Sequence, residues 1–176
     1  MIVRLATFDD IPELNNLIQL SARGLSPVYY SDAQIESALK YIFGVDTQLI
    51  TDGTYYVAEI DGRMAGCGGW SKRNTLFGGD QHKGADDSLL DPAKDAARIR
   101  AFFVHPGYAR RRIGTTIMTV CEEAAYNNGF KNIELGATLP GALYSALGYS
   151  PVKNFTVAMP DGTSLEIVKM AKILSI

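Results

Sequence analysis

The clearest chemical signal in the sequence lies in Phe102-Phe103-Val104-His105-Pro106-Gly107-Tyr108-Ala109-Arg110-Arg111-Arg112-Ile113-Gly114-Thr115. An apolar, β-forming run leads into a basic loop, and an apolar pattern at helical spacing starts directly after it. The first turn of a helix leaves backbone N–H groups unpaired at the positive end of its dipole, so this strand–loop–helix corner suits an anion, phosphate above all. Arg110, Arg111 and Arg112 add charge-assisted donors. Gly114 permits close backbone approach, and Thr115 brings a hydroxyl. The same three arginines also fit a solvated basic turn, and composition alone does not separate the two readings. Neither a Gly-x-x-x-x-Gly-Lys-Ser/Thr loop nor a Gly-x-Gly-x-x-Gly turn after the first strand is present.

The flanks decide between them. Val104-His105-Pro106-x-Tyr108-Ala109-Arg110-Arg111-x-Ile113-Gly114, followed by a helix and then Leu143-Tyr144-x-x-Leu147-Gly148-Tyr149, resembles the acetyl-CoA motif of the GCN5-related N-acetyltransferase (GNAT) superfamily. The resemblance covers nearly the whole chain. It implies an acyl-CoA N-acyltransferase fold and an enzyme moving acetyl from acetyl-CoA to a primary amine on a small molecule or peptide. It implies further that Phe102, Phe103 and Val104 present backbone groups to the pantetheine arm, and that the main chain of Arg110, Arg111, Arg112, Ile113, Gly114 and Thr115 holds the pyrophosphate. Relatives often form homodimers. Two positions depart from the pattern. Arg112 stands at the first loop glycine, where arginine fits only with negative φ or with compensated strain. The asparagine that often follows the fifth strand is replaced within Ala137-Thr138-Leu139-Pro140-Gly141.

Acyl transfer from a thioester needs a neutral amine, a polarised carbonyl and a proton for the departing thiolate. By the same resemblance Tyr144 is the general acid and Glu134, on a short strand, the general base. A packed tyrosine and an ion-paired strand glutamate are the plainer readings of the two. Asp80, His82 and Asp95 are competing bases, and Arg98 and Arg100 are expected to pair with Glu59 or Glu134. Tyr29, Tyr30 and Trp70 are candidates to line the acceptor cleft, with Asp80, Asp86 and Asp87 favouring a cationic amine if they face it. A CoA-binding sensor without turnover is the alternative function. A basic module recognising phosphorylated partners is a third.

These residues need a frame to hold them. Ile2 to Leu5 reads as a strand. Thr7 and Asp10 cap a helix carrying Phe8, Ile11, Leu14, Leu17, Ile18 and Ala22 on one face and stopping at Gly24. Ser31 and Gln34 cap a second helix that ends at Gly44. Tyr55–Ile60 and Arg63–Trp70 flank an Asp61-Gly62 hairpin turn, and Gly66, Gly68 and Gly69 predict a bulge or close backbone approach in the second strand. Residues Ser71 to Asp95 read as a long loop on the substrate side or without order. Then follow a strand (Ala97–Val104), a helix (Ile113–Asn128, capped by Gly129), a strand (Ile133–Leu135), a short helix (Pro140–Leu147) and two strands around Asp161-Gly162. The order β-α-α-β-β-β-α-β-α-β-β predicts an α+β domain, a mixed, mostly antiparallel sheet flanked by helices, spanning residues 1–176.

With 176 residues, 47% apolar, the chain suffices for one sizeable core, and a net charge of −2 gives no reason to expect nucleic-acid binding. No apolar run approaches the roughly 20 residues of a membrane span. Cys67 and Cys121 sit in apolar stretches without paired spacing, which suits buried thiols in the cytoplasm. No ligand set has zinc-like spacing, so no metal is expected.

Overall fold

A computed structural model describes residues 1–84, 86–138 and 142–175. Its strands are β1 (Ile2–Leu5), β2 (Tyr55–Ile60), β3 (Arg63–Ser71), β4 (Ala97–Val104), β5 (Asn132–Thr138), β6 (Ser150–Ala158) and β7 (Ser164–Ile173). They form one sheet in the order β1-β2-β3-β4-β5-β7-β6. Every neighbouring pair is antiparallel except β4 and β5. A parallel pair needs a crossover, and α4 (Ile113–Asn127) provides it. The other helices are α1 (Ile11–Leu25), α2 (Asp32–Tyr41), α3 (Thr47–Thr51) and α5 (Ala142–Ala146).

Successive strand residues face opposite sides, so the sheet needs a cover on each. On one side Leu14, Leu17 and Ile18 of α1 pack with Val57 and Cys67. On the other, Ile113, Ile117, Met118, Cys121 and Ala125 of α4 pack with Ile99, Ile133 and Leu135. Fully burying one such side chain stabilises the fold by about 1.5–3 kcal/mol. Ile35, Ala38 and Ile42 of the α2 region rest on Leu165 and Ile167 of β7. Both predicted capping boxes form: Asp10 accepts from the Thr7 amide at 2.7 Å, and the Gln34 amide donates to the Ser31 hydroxyl at 3.2 Å. Thr7 caps a 3-10 turn (Phe8–Asp10) that runs directly into α1.

The glycines of β3 do both things their positions suggest. A Cβ on Gly66 would stand 2.6 Å from Cγ2 of Ile113, and one on Gly68 would press into the Phe102 ring, so α4 and β4 approach closely only because these residues lack one. The register also slips between Cys67 and Gly69. Ala101 and Phe102 therefore stand together opposite Gly68, with Ala101 at φ 49. This is a β-bulge. It begins three residues beyond the last rung joining β4 to β5, which among the described residues pair at Ala97–Ile133 and Arg98–Glu134. Past that point the two strands part.

Some elements differ from the sequence reading. Helix α1 continues through Gly24 to Leu25, because Gly24 is a packing position: its missing Cβ would lie 3.0 Å from Cβ of Pro106. Helix α2 ends at Tyr41, ahead of Gly44, and the five-residue α3, capped by Asp46, is additional. The stretch from Ser71 to Asp95 carries order: a 3-10 turn at Asp80–His82, a bridge between Arg73 and Leu89, and an ion pair from Arg73 to Asp52 at 2.7 Å. The predicted helix start at Pro140 and the Leu139–Gly141 part of the missing-asparagine segment lie outside the described residues. Among the described residues no helix is long and apolar enough to cross a membrane.

Candidate active site

Strand β4 runs out at Val104 into a 3-10 turn (Pro106–Tyr108), which the His105 side chain caps by accepting from the Gly107 amide at 3.0 Å. The chain then reverses through Arg110 at φ 63 and Arg112 at φ 60, with Arg111 and Ile113 on the negative side. Alternating φ signs turn successive amides toward one concavity, an anion-binding nest. Among the described residues the N–H groups of residues 110 to 115 have no protein acceptor, and the first used is Thr116 N–H, 2.9 Å from the Arg112 carbonyl. The side chain of Arg112, at the N-cap, makes no capping bond. The three arginines are exposed, and the Arg111 guanidinium lies over the Tyr108 ring at 5.5 Å. The condition that arginine at position 112 would need negative φ is not met. The loop adopts the glycine conformation with arginine in place, at about 1–2 kcal/mol per residue, and strain retained at a surface corner motivates a functional reading.

A cavity of about 330 Å³ lies between the parted strands. The corner does not line it but adjoins it at Gly114, which stands against the lining residues Leu143 and Phe102. Phe102, Phe103 and Val104 form one wall, Leu135, Gly136 and Thr138 the other, and Leu143 and Tyr144 of α5 close one end. Tyr144 packs edge-on to Phe102 (centroids 6.4 Å apart) and to Tyr149 (6.2 Å). Its hydroxyl has no hydrogen-bond partner among the described residues. Burial pushes its pKa up to about 12, so it keeps its proton throughout the physiological range.

Glu134 is placed differently. It does not line the cavity. It is buried, with Oε1 paired to Arg98 and Oε2 to Lys169. The cause is the register: the parallel rung sets Arg98 beside Glu134, and β7 brings Lys169 alongside. Both carboxylate oxygens are therefore engaged, and Glu134 is not brought together with Tyr144. Arg98 thus pairs as expected. Arg100 does not: it binds Asp46 at 2.8 Å, while Arg4 takes Glu59 at 2.7 Å.

Arg100 is the site residue whose role the sequence did not reveal. Almost fully buried in the cavity wall, it also donates to the Thr75 carbonyl at 2.9 Å and the Gly78 carbonyl at 2.5 Å. It pins the 75–79 loop against the cavity. The arginine alternation on β4 was visible in the sequence, but its partner on the remote α3 cap was not. Of the competing bases, Asp80 accepts from the Thr47 amide (3.0 Å), His82 stacks on Phe77 (4.8 Å), and Asp95 accepts from the Asp91 amide (2.7 Å). None of the three lines the cavity. Asp86 and Asp87 bond Asn74 and Thr75 within the loop. Tyr29 and Tyr30 do line the cavity, whereas Trp70 is a core residue against Phe130. Among the described residues no group of three or more His, Cys, Asp or Glu could hold a metal ion.

A comparison with curated proteins gives no match. Among solved structures the chain is similar to a GCN5-related N-acetyltransferase from Rhodopseudomonas palustris (22% identity, TM-score 0.73, covering 98% of this chain and 95% of that one). It is also similar to the ribosomal-protein-alanine N-acetyltransferase of Brucella melitensis (17%, TM-score 0.66, 99% and 100%). A third is the paia N-acetyltransferase of Thermoplasma acidophilum in complex with coenzyme A (13%, TM-score 0.65, 98% and 98%). At these identities the likeness is one of fold. The sequence model of the acetyltransferase (GNAT) family matches residues 12–149. That span contains the parted strands, the Arg110–Thr115 corner and Tyr144, and the chain belongs to the acetyltransferase (GNAT) family.

Proposed function

We propose that this protein is an N-acetyltransferase that moves the acetyl group of acetyl-CoA to a primary amine by direct attack. The observation carrying the reading is the run of unpaired amides from residue 110 to 115 at the head of α4, opening beside the cavity between β4 and β5. These amides fit a pyrophosphate: several donors on one concavity at a helix N-terminus, with exposed arginines beside them. Phe102, Phe103 and Val104 fit the pantetheine arm. They sit beyond the last β4–β5 rung, on the wall of the gap.

The thioester supplies the activated acyl group. The amine nitrogen bonds to the acetyl carbon, the carbon–sulfur bond breaks, and the leaving sulfur takes the Tyr144 proton. The proton lost by the amine restores Tyr144 through solvent. Tyr144 suits this role because it is neutral, faces the cavity and has no competing partner among the described residues. Glu134 is assigned to structure, as the shared anion of Arg98 and Lys169. Residues 1–176 are taken as one domain, and the two buried free thiols, Cys67 and Cys121, suit a cytoplasmic setting.

Tyr144→Phe tests the assignment. Thiol release from acetyl-CoA should fall about 100-fold or more, the scale of positioned acid catalysis, while the CoA dissociation constant stays within about twofold. Full activity in the variant rejects Tyr144 as the acid. Binding of acetyl-CoA by the wild type without thiol release to any amine replaces the transferase reading with that of a CoA-binding module.

A further inference from the structure

The acceptor half of the cavity has an unusual charge pattern for a site that takes amines. Away from Tyr144 its wall is Ala22, Leu25, Tyr29, Phe43, Leu76 and Phe77, with Tyr30 and two serines among them. Across the described lining residues the titratable side chains are Arg100 on β4, Tyr29 and Tyr30 between α1 and α2, and Tyr144 on α5. The end of α2, the 76–79 loop, β5 and β7 contribute none. Among the described lining residues there is no carboxylate and no imidazole. The acids nearby are spent behind the wall: Asp46 on Arg100 and Lys83, Glu134 on Arg98 and Lys169. His82 lies flat against Phe77, and burial together with Arg100 lowers its pKa.

Such a wall offers a cation ring faces and main-chain oxygens but no anionic side chain among the described lining residues. A polyamine, an aminoglycoside or a lysine in a basic peptide would bury uncompensated charge beside Arg100, whereas an apolar body would replace water against aromatic surface. Desolvation favours the neutral form of an amine, the form that attacks. We infer that the acceptor is a primary amine on an aromatic or aliphatic body with no second cationic group, taken up as the free base. This rests on the transferase reading above and names its substrate class. No protein base is then required: the amine loses its first proton to bulk water before it enters.

The test is a panel of amines with the full chain and saturating acetyl-CoA, followed by thiol release at one pH. 2-Phenylethylamine and hexylamine should show kcat/KM at least about 100-fold above spermidine and kanamycin, a discrimination in the range that an unpaired buried polar group imposes. A second arm compares 2-phenylethylamine with its β,β-difluoro analogue, whose ammonium is more acidic. The acid limb of log kcat/KM against pH should move down by the difference between the two amines' own pKa values. A third uses Tyr29→Asp, at an exposed position on the rim, which should raise spermidine relative to 2-phenylethylamine about tenfold. Spermidine or kanamycin used as well as the monoamines overturns the inference, as does an acid limb fixed at one pH for both amines. Acetyl-CoA binding with no thiol release to any amine overturns the transferase reading itself, and this inference with it.

Discussion

Replacing Glu134 by glutamine removes one negative charge from a three-member cluster and leaves its volume almost unchanged. In the folded protein that charge pairs with both Arg98 and Lys169. The side chains of Glu134 and Arg98 are 10% and 11% exposed, and that of Lys169 is 32% exposed. Removing one partner of a buried pair costs about 3–5 kcal/mol, because the other charge is left without compensation. Lys169 can turn toward water, and the glutamine oxygen can still accept from Arg98, which brings the expected loss to roughly 2–3 kcal/mol. For a chain of this size each kcal/mol moves the melting point by about 2–4 °C, so the midpoint should fall by roughly 4–12 °C. Thermal melting by circular dichroism reads this directly. Turnover measured at 20 °C, where both proteins are folded, should stay within about threefold of wild type, with its pH profile unmoved. A second variant, Glu134→Gln with Lys169→Met, should recover part of the loss, since it removes one stranded cation. An unchanged midpoint together with a 100-fold drop in turnover and a flattened acid limb would make Glu134 the base and refute the structural assignment.

At Arg112, substitution by glycine removes the left-handed penalty of about 1–2 kcal/mol and adds an unfolded-state entropy cost of about 0.5–1 kcal/mol. Chemical denaturation should therefore find Arg112→Gly within about 1 kcal/mol of wild type, on the stable side. Because the proposed phosphate donors are backbone groups, CoA affinity should fall less than about tenfold. A loss of several hundredfold would mean that the side chain is the main ligand. Asp10 gives a pH dependence: the Arg4 guanidinium and the Thr7 amide hold its pKa at about 2, below the ordinary 3.8. A depressed carboxylate contributes stability above its unfolded pKa and loses it as pH falls through the folded one. The shift is worth about 2 kcal/mol, less the screening allowed by the partly exposed Arg4. Urea unfolding should thus show Asp10→Asn about 1–2 kcal/mol less stable at pH 7, with the gap closing between pH 4 and pH 2. A gap unchanged at pH 2 would rule this out.

Local signals and their neighbours explain what could be read from the sequence. The spacing of Leu14, Leu17 and Ile18, the Ser31/Gln34 cap and the Asp61-Gly62 turn are each decided within a few residues, and they placed α1, α2 and the β2–β3 hairpin. Helix α3 is too short to show a period, and its cap, Asp46, is shared between Arg100 and Lys83, contacts that only the folded chain creates. Gly24 and Gly44 looked like helix stops because a missing side chain has the same spelling whether it serves φ or close packing. The strand–loop–helix corner was legible from residues 102 to 115 because the three elements are consecutive there. The Arg98–Glu134 pair was among those expected, but the engagement of the second carboxylate oxygen was not legible, since it depends on a lysine from β7. Likewise, the lack of carboxylates among the described lining residues of the cavity follows from which way the 71–95 loop turns its aspartates, and no local rule fixes that direction.

The brevity of the β4–β5 ladder has a mechanical consequence. Among the described residues two rungs join the strands β1 to β4 with the strands β5 to β7, so the sheet is two rafts moored at one short quay. A ligand with amide groups of its own, lodged where the moorings end, would meet main-chain edges on both rafts and splint them. Occupancy should then stiffen the whole protein along the β4–β5 line, and amide exchange near residues 102–104 and 135–137 would slow together, although these stretches lie far apart in the chain.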